Sequence, residues 1–548
     1  MRRFSTAKKT APMVLAASIL AFQVAIPWTV PHLITDDGPS HIYTSVVARN
    51  LLGNLLLNRK SHYGEIYHFN SKITPNWGGP ILLGTFVSIA GVNQAEKLMM
   101  SFSLVVGFLS IAYAIWSLSP EWIPWIPLIN VLLQVWFLWR GYYDFYLGMV
   151  LCPLVVGYFL HNIHHLNVRR AAVVGVGLCG IFLTHVLAAA LAGLVLGVVG
   201  IWVYWIVPAT VKHNKPGRSY FPASLRQLGL LFAVLLPTLA LFLLFAASSG
   251  ESVHWRPETA WAFNSFPMHS FVTGSGRSGS QTFIWPVLLC LITLSLGAMR
   301  GSEWKSAKGG LACAVILIFL AYLIVPEQGL GGSQLKVRFS WAVFLWGGIL
   351  ACSVRRLRLI QVPLAVYFSV FLIGTLSSTK TALAASSRAV EDYLSLASQI
   401  RPGSRLVRLR YPTMDLPRQY GFEDIGRDPL FHVDAFIAAS CKCIDLSDYQ
   451  APSGVFPVVF NPDVNKAQQI GLWQLEGPGP ETSATVAWLR TTLPVPIDYT
   501  IIVSDDRAQE ASNSDYSRLL ANLNAGMRLV ATSRSRPFAK LYERTGAR

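Results

Sequence analysis

Acidic side chains are scarce in the first two thirds of this chain: residues 1–380 hold 10 Asp and Glu against 27 Lys and Arg. Charge of both signs is low overall, 13% of 548 residues. A soluble domain carries about 25%, so an ordinary water-soluble globule is excluded. Neither G-x-S-x-G nor G-x-x-x-x-G-K-[ST] occurs, which removes the nucleophile-elbow hydrolases and the P-loop enzymes. Cysteine is sparse as well. Cys152, Cys179, Cys290, Cys313 and Cys352 lie in apolar runs, where a thiol packs as a small hydrophobe. Cys441 and Cys443 flank a single residue. A bridge there would close a small, strained ring, and no zinc-type His spacing accompanies them, so the sequence gives them no role. There is no internal repeat and no low-complexity run.

What is present is apolar: 53% of the residues are hydrophobic and the mean hydropathy is +0.44. Residues 381–548 carry 18 charges of each sign, so the formal net charge of +17 lies wholly in the apolar part. Basic loops between apolar segments follow the positive-inside rule and are not a nucleic-acid surface. The start, "MRRFSTAKKT" then "APMVLAASILAFQVAIPW", resembles a signal peptide. No small-x-small cleavage site follows, and the apolar run continues to Ile34, which predicts an uncleaved first span with its basic flank in the cytoplasm.

Further spans are expected at about 95–117, 122–139, 143–161, 170–185, 187–207, 224–248, 282–299, 309–326, 337–354 and 360–378, about eleven in all. The N-terminus and the loops "HHLNVRR", "VKHNKPGRSY", "RGSEWKSAKGG" and "RRLR" hold more than half of the 27 basic residues and fall on the cytoplasmic side by parity. Two decisions hold that parity. Residues 80–91 are too short to span and lie along the outer surface, and 170–207 turns at Thr184-His185. Residues 40–59 are spaced either as an interfacial helix or as one packed on other spans.

After Ser378 the pattern changes. "RPGSRLVRLRY", "DYTIIVSDD" and "MRLVATSRSRPFAKLYER" read as strands, and "DYSRLLANLNAG" as a helix closed by Gly526. The expected architecture is mainly α: a polytopic transmembrane helical bundle over 1–380, with outer interfacial helices at about 38–92, and an extracytoplasmic α/β domain over 381–548. A bacterial inner membrane follows from the loop charges and the start.

The few acids are concentrated. Asp36 and Asp37 stand at the outer mouth of the first span, and parity puts Asp144, in "WRGYYDFYLG", on the same face. Ionisable groups at a membrane boundary are costly and default to function. A carboxylate there can take a proton from a hydroxyl or share a divalent cation, Mg or Mn, with a second carboxylate. The structural alternatives are that Asp36 caps a helix starting near Gly38 and that Asp144 pairs with Arg140.

Those residues carry a resemblance. "DDGPSHIYT" is similar to the Asp-Glu/Asp-x-x-His/Arg-Tyr neighbourhood of the GT-C superfamily, multi-span glycosyltransferases that include the protein O-mannosyltransferases and the lipid A aminoarabinose transferase. Asp37 best matches the acidic position. "TPNWGGPILLGTFVSIAGVNQAEKL" resembles the family's Lys-Pro-Pro-Leu stretch leading into the second span, and Asp144 stands where the family often has a second acid. Two departures are visible: Gly38 stands where many members have Glu, and the Lys-Pro-Pro triplet is reduced to "GGP", with Lys72 the nearest base.

The resemblance implies transfer of a sugar, with inversion, from a polyprenyl-phosphate donor to an envelope glycan, lipid or protein acceptor at the outer face of the bilayer. Asp37 would be the base, with Asp144 beside it and a metal shared between them. Arg338, Lys336, Arg140 and Lys72 are the cations for a leaving phosphate, with Asp36, His41 and His185 near the substrate. Arg338 also reads as an ordinary snorkelling anchor. His254 and His269 share an outer loop with Trp255 and Trp261, which read as interfacial anchors. A transporter would want charges at the bilayer midplane, where this chain has almost none. A non-catalytic envelope assembly protein stays open as the alternative.

Overall fold

The computed structural model describes residues 7–57, 61–120, 126–208, 221–249, 284–326, 328–329, 332–410, 420, 430–464, 496–504 and 513–546. The loop 250–283, with His254, His269, Trp255 and Trp261, and the basic loop 211–220 lie outside the described residues. In chain order the helices are α1 (Ala7–Ala25), α2 (Gly38–Leu57), α3 (Gly78–Ala90), α4 (Val92–Leu118), α5 (Ile126–Leu133), α6 (Trp136–Arg140), α7 (Tyr143–His161), α8 (Val168–Thr184) and α9 (Val186–Ile201). They continue as α10 (Phe221–Ser249), α11 (Ile284–Ala298), α12 (Ala307–Ile324), α13 (Leu335–Ser353), α14 (Gln361–Leu394), α15 (Val433–Cys441), α16 (Gln450–Ser453) and α17 (Asn513–Asn524). The strands are β1 (Tyr67–Phe69), β2 (Arg405–Arg410), β3 (Ile444–Asp445), β4 (Val458–Phe460), β5 (Tyr499–Val503), β6 (Met527–Thr532) and β7 (Ala539–Arg544).

Among the described residues seven helices are long and apolar enough to cross a bilayer: Val92–Leu118, Tyr143–His161, Val186–Ile206, Leu225–Ser248, Ala307–Ile324, Leu335–Ser353 and Pro363–Gln399. Three apolar helices are shorter, Met13–Thr29, Gly78–Ala90 and Val287–Ala298. The span expected at 122–139 is interrupted, because Val135 is extended (φ −124, ψ 155) between α5 and α6. Gln134 accepts the indole N–H of Trp139 inside that break, at 3.1 Å. The turn expected at Thr184-His185 is present: α8 ends at Thr184, His185 is extended, and α9 starts at Val186.

The chain divides into two bodies. Met1–Pro27, Lys72–Gly78 and Met100–Ser378 form the first, and Trp28–Ser71, Gly79–Met99 and Thr379–Arg548 form the second. The sequence drew its boundary at 380. The structure also groups the segments 28–71 and 79–99 with the C-terminal region.

In the first body α7, α8 and α9 pack on one another, α10 lies on α8 and α9, and α12 bridges α9 and α13. Association in lipid depends on close packing more than on hydrophobic drive. A Cβ at Gly148 would stand 2.8 Å from Ala188 Cβ, and one at Gly310 2.8 Å from Val199 Cα, so these glycines permit the approach. The central element is α13, with Trp341 and Trp346 fully buried. The apolar side chains Leu236, Leu239 and Leu243 of α10 are exposed, as a lipid-facing surface requires.

In the second body α2 is buried from Gly38 to Val47 and packs on α15, while Leu55, Leu56 and Leu57 are exposed. The predicted helix therefore exists, and its first half is a packed one. β1 pairs antiparallel with β4, Tyr67 opposite Phe460. A five-stranded sheet runs β3-β2-β5-β7-β6, with β2 parallel to β3 and β5 and β6–β7 an antiparallel hairpin. All three expected strand regions are found, the last as two strands. α17 ends at Asn524, and the Gly526 N–H bonds the Leu523 carbonyl at 3.0 Å.

Candidate active site

The expected site residues fall in both bodies. Lys72, Arg140, Asp144, His185, Lys336 and Arg338 belong to the first, and Asp36, Asp37 and His41 to the second.

In the first body the "WRGYYD" turn is made by Gly141, whose φ of 79 is open to glycine at little cost. It ends α6 just after Arg140 and lets α7 begin at Tyr143. Asp144, in the first turn of α7, is 3% exposed. The Arg140 guanidinium lies over the Trp136 ring, 4.9 Å from its centroid. Arg338 enters the first turn of α13 and is 8% exposed, which overturns the snorkelling reading. Its guanidinium lies 4.5 Å from the Phe145 ring, 5.4 Å from Tyr142 and 5.7 Å from Phe137. Such contacts are worth about 2 kcal/mol or more when desolvated.

Arg338 also donates Nε–H to the Ser333 carbonyl at 3.0 Å and faces His185 Nε2 through Nη1 at 3.0 Å. His185 Nδ1 in turn lies 3.2 Å from the Leu187 N–H. A neutral imidazole offers one lone pair, so the ring accepts from only one of these donors at a time. Lys336 is buried on the same helix turn. Lys72 is elsewhere in this body, donating to the Ser248 carbonyl at 2.9 Å, where a cation complements a helix C-terminus.

In the second body α2 begins at Gly38, and the His41 N–H bonds the Asp37 carbonyl at 3.1 Å, which makes Asp37 the residue that opens the helix. The side chain that caps it is Thr35, whose hydroxyl accepts the Gly38 N–H at 3.0 Å. Asp36, expected as the cap in the structural reading, is instead fully buried. Thr35 is held by Glu96, whose Oε1 accepts both the Thr35 N–H, at 3.1 Å, and its hydroxyl. A Cβ on Gly38 would stand 1.9 Å from that same Oε1. The place beside Asp37 that a larger residue 38 would fill is thus taken by a carboxylate from α4.

The Asp37 side chain is 17% exposed, and His432 Nε2 stands 4.0 Å from its Oδ1. His432 stacks on Tyr449 with centroids 4.4 Å apart and 16° between planes. It precedes α15, and Arg408 of β2 anchors that helix start by pairing with Asp434 at 3.1 Å and donating to the Phe431 carbonyl. Further along α2, His41 Nδ1 contacts Gln450 Nε2 at 3.3 Å, and Thr44 donates to Gln450 Oε1 at 2.7 Å. Burial lowers the His41 pKa to about 4. Burial also raises Asp448, beside Gln450, to about 7. The Tyr43 hydroxyl accepts the Asp445 N–H at 2.8 Å and donates to the Tyr67 hydroxyl at 3.2 Å, which donates to the Asp445 carbonyl. α2 is therefore tied to the C-terminal region along its buried half.

Sequence reasoning missed Glu96, His432, Tyr449 and Gln450. Glu96 carried a readable signal, an acid at the mouth of an apolar run. The other three lie about 400 residues from Asp37, with no local pattern to join them. Among the described residues no three His, Cys, Asp or Glu are grouped so as to hold a metal ion. Asp37 and Asp144, the pair expected to share one, belong to different bodies.

No family model matches the chain, and no curated protein sequence matches it. Solved structures do. ArnT from Cupriavidus metallidurans bound to undecaprenyl phosphate is similar over 99% of both chains, at 13% identity and a TM-score of 0.50. The same protein in the apo state is similar over 98% of both chains, at 12% identity and a TM-score of 0.51. The Archaeoglobus fulgidus oligosaccharyltransferase gives 13% identity and a TM-score of 0.47, over 98% of this chain and 74% of that one. The likeness to ArnT is one of fold alone: this chain is an integral membrane protein, a polytopic helical bundle followed by a C-terminal domain.

Proposed function

We propose that the chain is a membrane glycosyltransferase that moves a sugar from a polyprenyl-phosphate carrier to a hydroxyl of an envelope acceptor at the outer face of a bacterial inner membrane. The observation that carries this reading is the setting of Asp37, a partly exposed carboxylate opening a buried helix and faced by His432 at 4.0 Å. The whole-chain fold likeness to ArnT supports it.

In the proposed reaction the acceptor oxygen attacks the anomeric carbon and forms the new glycosidic bond while the bond to the carrier phosphate breaks on the opposite face, with inversion. The hydroxyl proton passes to Asp37. Such general-base assistance contributes about 10²–10⁴-fold. His432, held by its stack on Tyr449, fixes the Asp37 carboxylate and acts through it as a positioning residue. The leaving phosphate gathers negative charge and needs fixed cations. Arg338, desolvated among Phe137, Tyr142 and Phe145, is the cation assigned, with Lys336 in the same turn of α13 and Arg140 at the end of α6 as further candidates.

The test is sugar transfer from a panel of polyprenyl-phosphate sugars by purified, lipid-reconstituted protein, wild type against Asp37→Asn. Transfer by the wild type that falls at least about 10²-fold in the variant, with folding intact, is expected. Equal transfer by both would remove Asp37 as base. No turnover with any donor, when candidate glycan, lipid and protein acceptors are all supplied, would favour an assembly protein.

A further inference from the structure

Five of the seven cysteines lie within α7, α8, α11, α12 and α13. The other two, Cys441 and Cys443, are adjacent in space, with sulfurs 2.6 Å apart. The backbone accounts for that approach. Cys441 is the last residue of α15, and Lys442 turns left-handed at φ 57, ψ 41. The Cys443 N–H returns to the Ala438 carbonyl at 2.8 Å, and the Gly403 N–H takes the Lys442 carbonyl at 3.0 Å. His62 Nε2 contacts the same carbonyl at 3.0 Å. The Lys442 N–H also bonds the Ala438 carbonyl, so the peptide units on both sides of Lys442 are pinned and the flanking thiols meet. Both thiols are free and in contact with one another.

We propose that Cys441 and Cys443 are a thiol–disulfide exchange site, cycling between dithiol and a strained intrachain disulfide in reaction with an external disulfide. Cys443 is fully buried and Cys441 partly exposed, so an incoming disulfide meets Cys441 first. The hydrogen bond donated by the Cys443 thiol lowers the Cys441 pKa, and a larger thiolate fraction favours attack. The Cys441 thiolate attacks one sulfur of the external disulfide, forming a mixed disulfide and expelling one external thiolate. The expelled external thiolate takes the Cys443 proton, which the Cys441 contact and burial otherwise hold on the thiol, and Cys443 attacks the Cys441 sulfur, forming the internal bond and expelling the second external thiolate. The two cysteines lose two protons and two electrons, and the external disulfide is reduced to two thiols.

A ring closed over one intervening residue is strained, and strained disulfides are the readily reduced, exchangeable ones. The spacing that argues against a permanent structural bridge is what suits it to exchange. The site abuts β3, whose Asp445 N–H and carbonyl are held by the Tyr43 and Tyr67 hydroxyls.

Purified full-length protein equilibrated across reduced-to-oxidised glutathione mixtures, then acid-quenched, denatured and alkylated, gives the peptide containing both residues for mass spectrometry. Expected is joint conversion from two alkyl groups to none, with no retained glutathione and full reversal on returning to reduced glutathione. In the Cys443→Ser variant Cys441 is expected to retain a glutathione adduct, since nothing displaces it. Two alkylatable thiols at every ratio, a stable adduct on wild-type Cys441, or no adduct in the variant would each overturn the proposal. Glycosyl transfer plays no part in this readout.

Discussion

The two bodies build their polar sites by opposite means. In the first, Arg140, Asp144, His185 and Arg338 all come from helix ends within one bundle, and the central cation is held by three aromatic rings, a carbonyl and one imidazole. In the second, Asp37 stands at the start of one helix, Glu96 reaches in from another, and His432, Tyr449 and Gln450 come from the far end of the chain. A cation can be desolvated against aromatic faces supplied locally. A cluster of carboxylates needs donors from several directions to offset burial, and those are drawn from wherever the fold brings them. The first body thus desolvates a cation with locally supplied partners, and the second surrounds a carboxylate with partners drawn from distant sequence.

The sharpest way to break the second arrangement is Gly38→Ala, whose Cβ would stand 1.9 Å from Glu96 Oε1. Overpacking of that kind costs about 1–3 kcal/mol or more, and thermal unfolding should register it as the largest loss in this group. Glu96→Ala leaves the Thr35 N–H and hydroxyl without their acceptor, at about 1–3 kcal/mol. Because the two changes meet at one point, the double variant should be less destabilised than the sum of the singles, by roughly 0.5–3 kcal/mol in a double-mutant cycle. Strict additivity would mean that Glu96 does not fill the place beside Gly38.

Arg338→Lys sharpens the first arrangement. It keeps the charge and loses the planar group that lies among the rings, so donor KM should rise by roughly tenfold, about 1.4 kcal/mol, with the bundle still folded. A KM equal to the wild type would make the guanidinium a packing element. His432→Gln should lower kcat by about tenfold with donor affinity unchanged and the acid limb of the pH–rate profile displaced. A purely structural histidine would move stability and leave that limb in place.

The smallest effects concern pH. His41 is held neutral in the fold, with its pKa down at about 4, while the unfolded chain takes a proton below about 6.5. Its contribution to stability is present above 6.5 and is lost as pH falls towards 4. Asp448, raised to about 7, works the other way, since its unfolded pKa is near 3.9. Its contribution is full below that value and is lost as pH rises through 7. The two oppose each other between about 4 and 6.5. Asp448→Asn should therefore become more stable with rising pH in that window, and His41→Gln less stable, by a few °C in thermal unfolding. Parallel curves for the two variants would dismiss both assignments.

Much of the helical architecture was legible because it follows from apolar run length, and the Thr184-His185 turn because a largely apolar stretch of 38 residues, 170–207, exceeds one crossing. The break at Val135 was not, since an apolar extended residue between two short helices leaves no periodic mark. Asp37 was readable as an acid where acids are rare, and Arg338 as a cation at a span end. The aromatic surroundings of Arg338 were half visible in "WRGYYDFYLG". The carboxylate beside Gly38 was hidden because residue 38 had to be read together with residue 96. Likewise, the grouping of residues 28–71 and 79–99 with the C-terminal region depends on contacts such as β1 with β4, nearly 400 residues apart.

The proposed roles of Asp37 and Arg338 can be tested in one experiment: donor binding and single-turnover transfer measured side by side in Asp37→Asn and Arg338→Ala, with a polyprenyl-phosphate sugar that the wild type uses. Expected is an Asp37→Asn protein that binds donor with wild-type affinity and transfers at least about 10²-fold more slowly, and an Arg338→Ala protein whose donor affinity falls by about tenfold or more. Loss of donor binding in Asp37→Asn, or wild-type affinity in Arg338→Ala, would contradict the assignment of base and phosphate anchor.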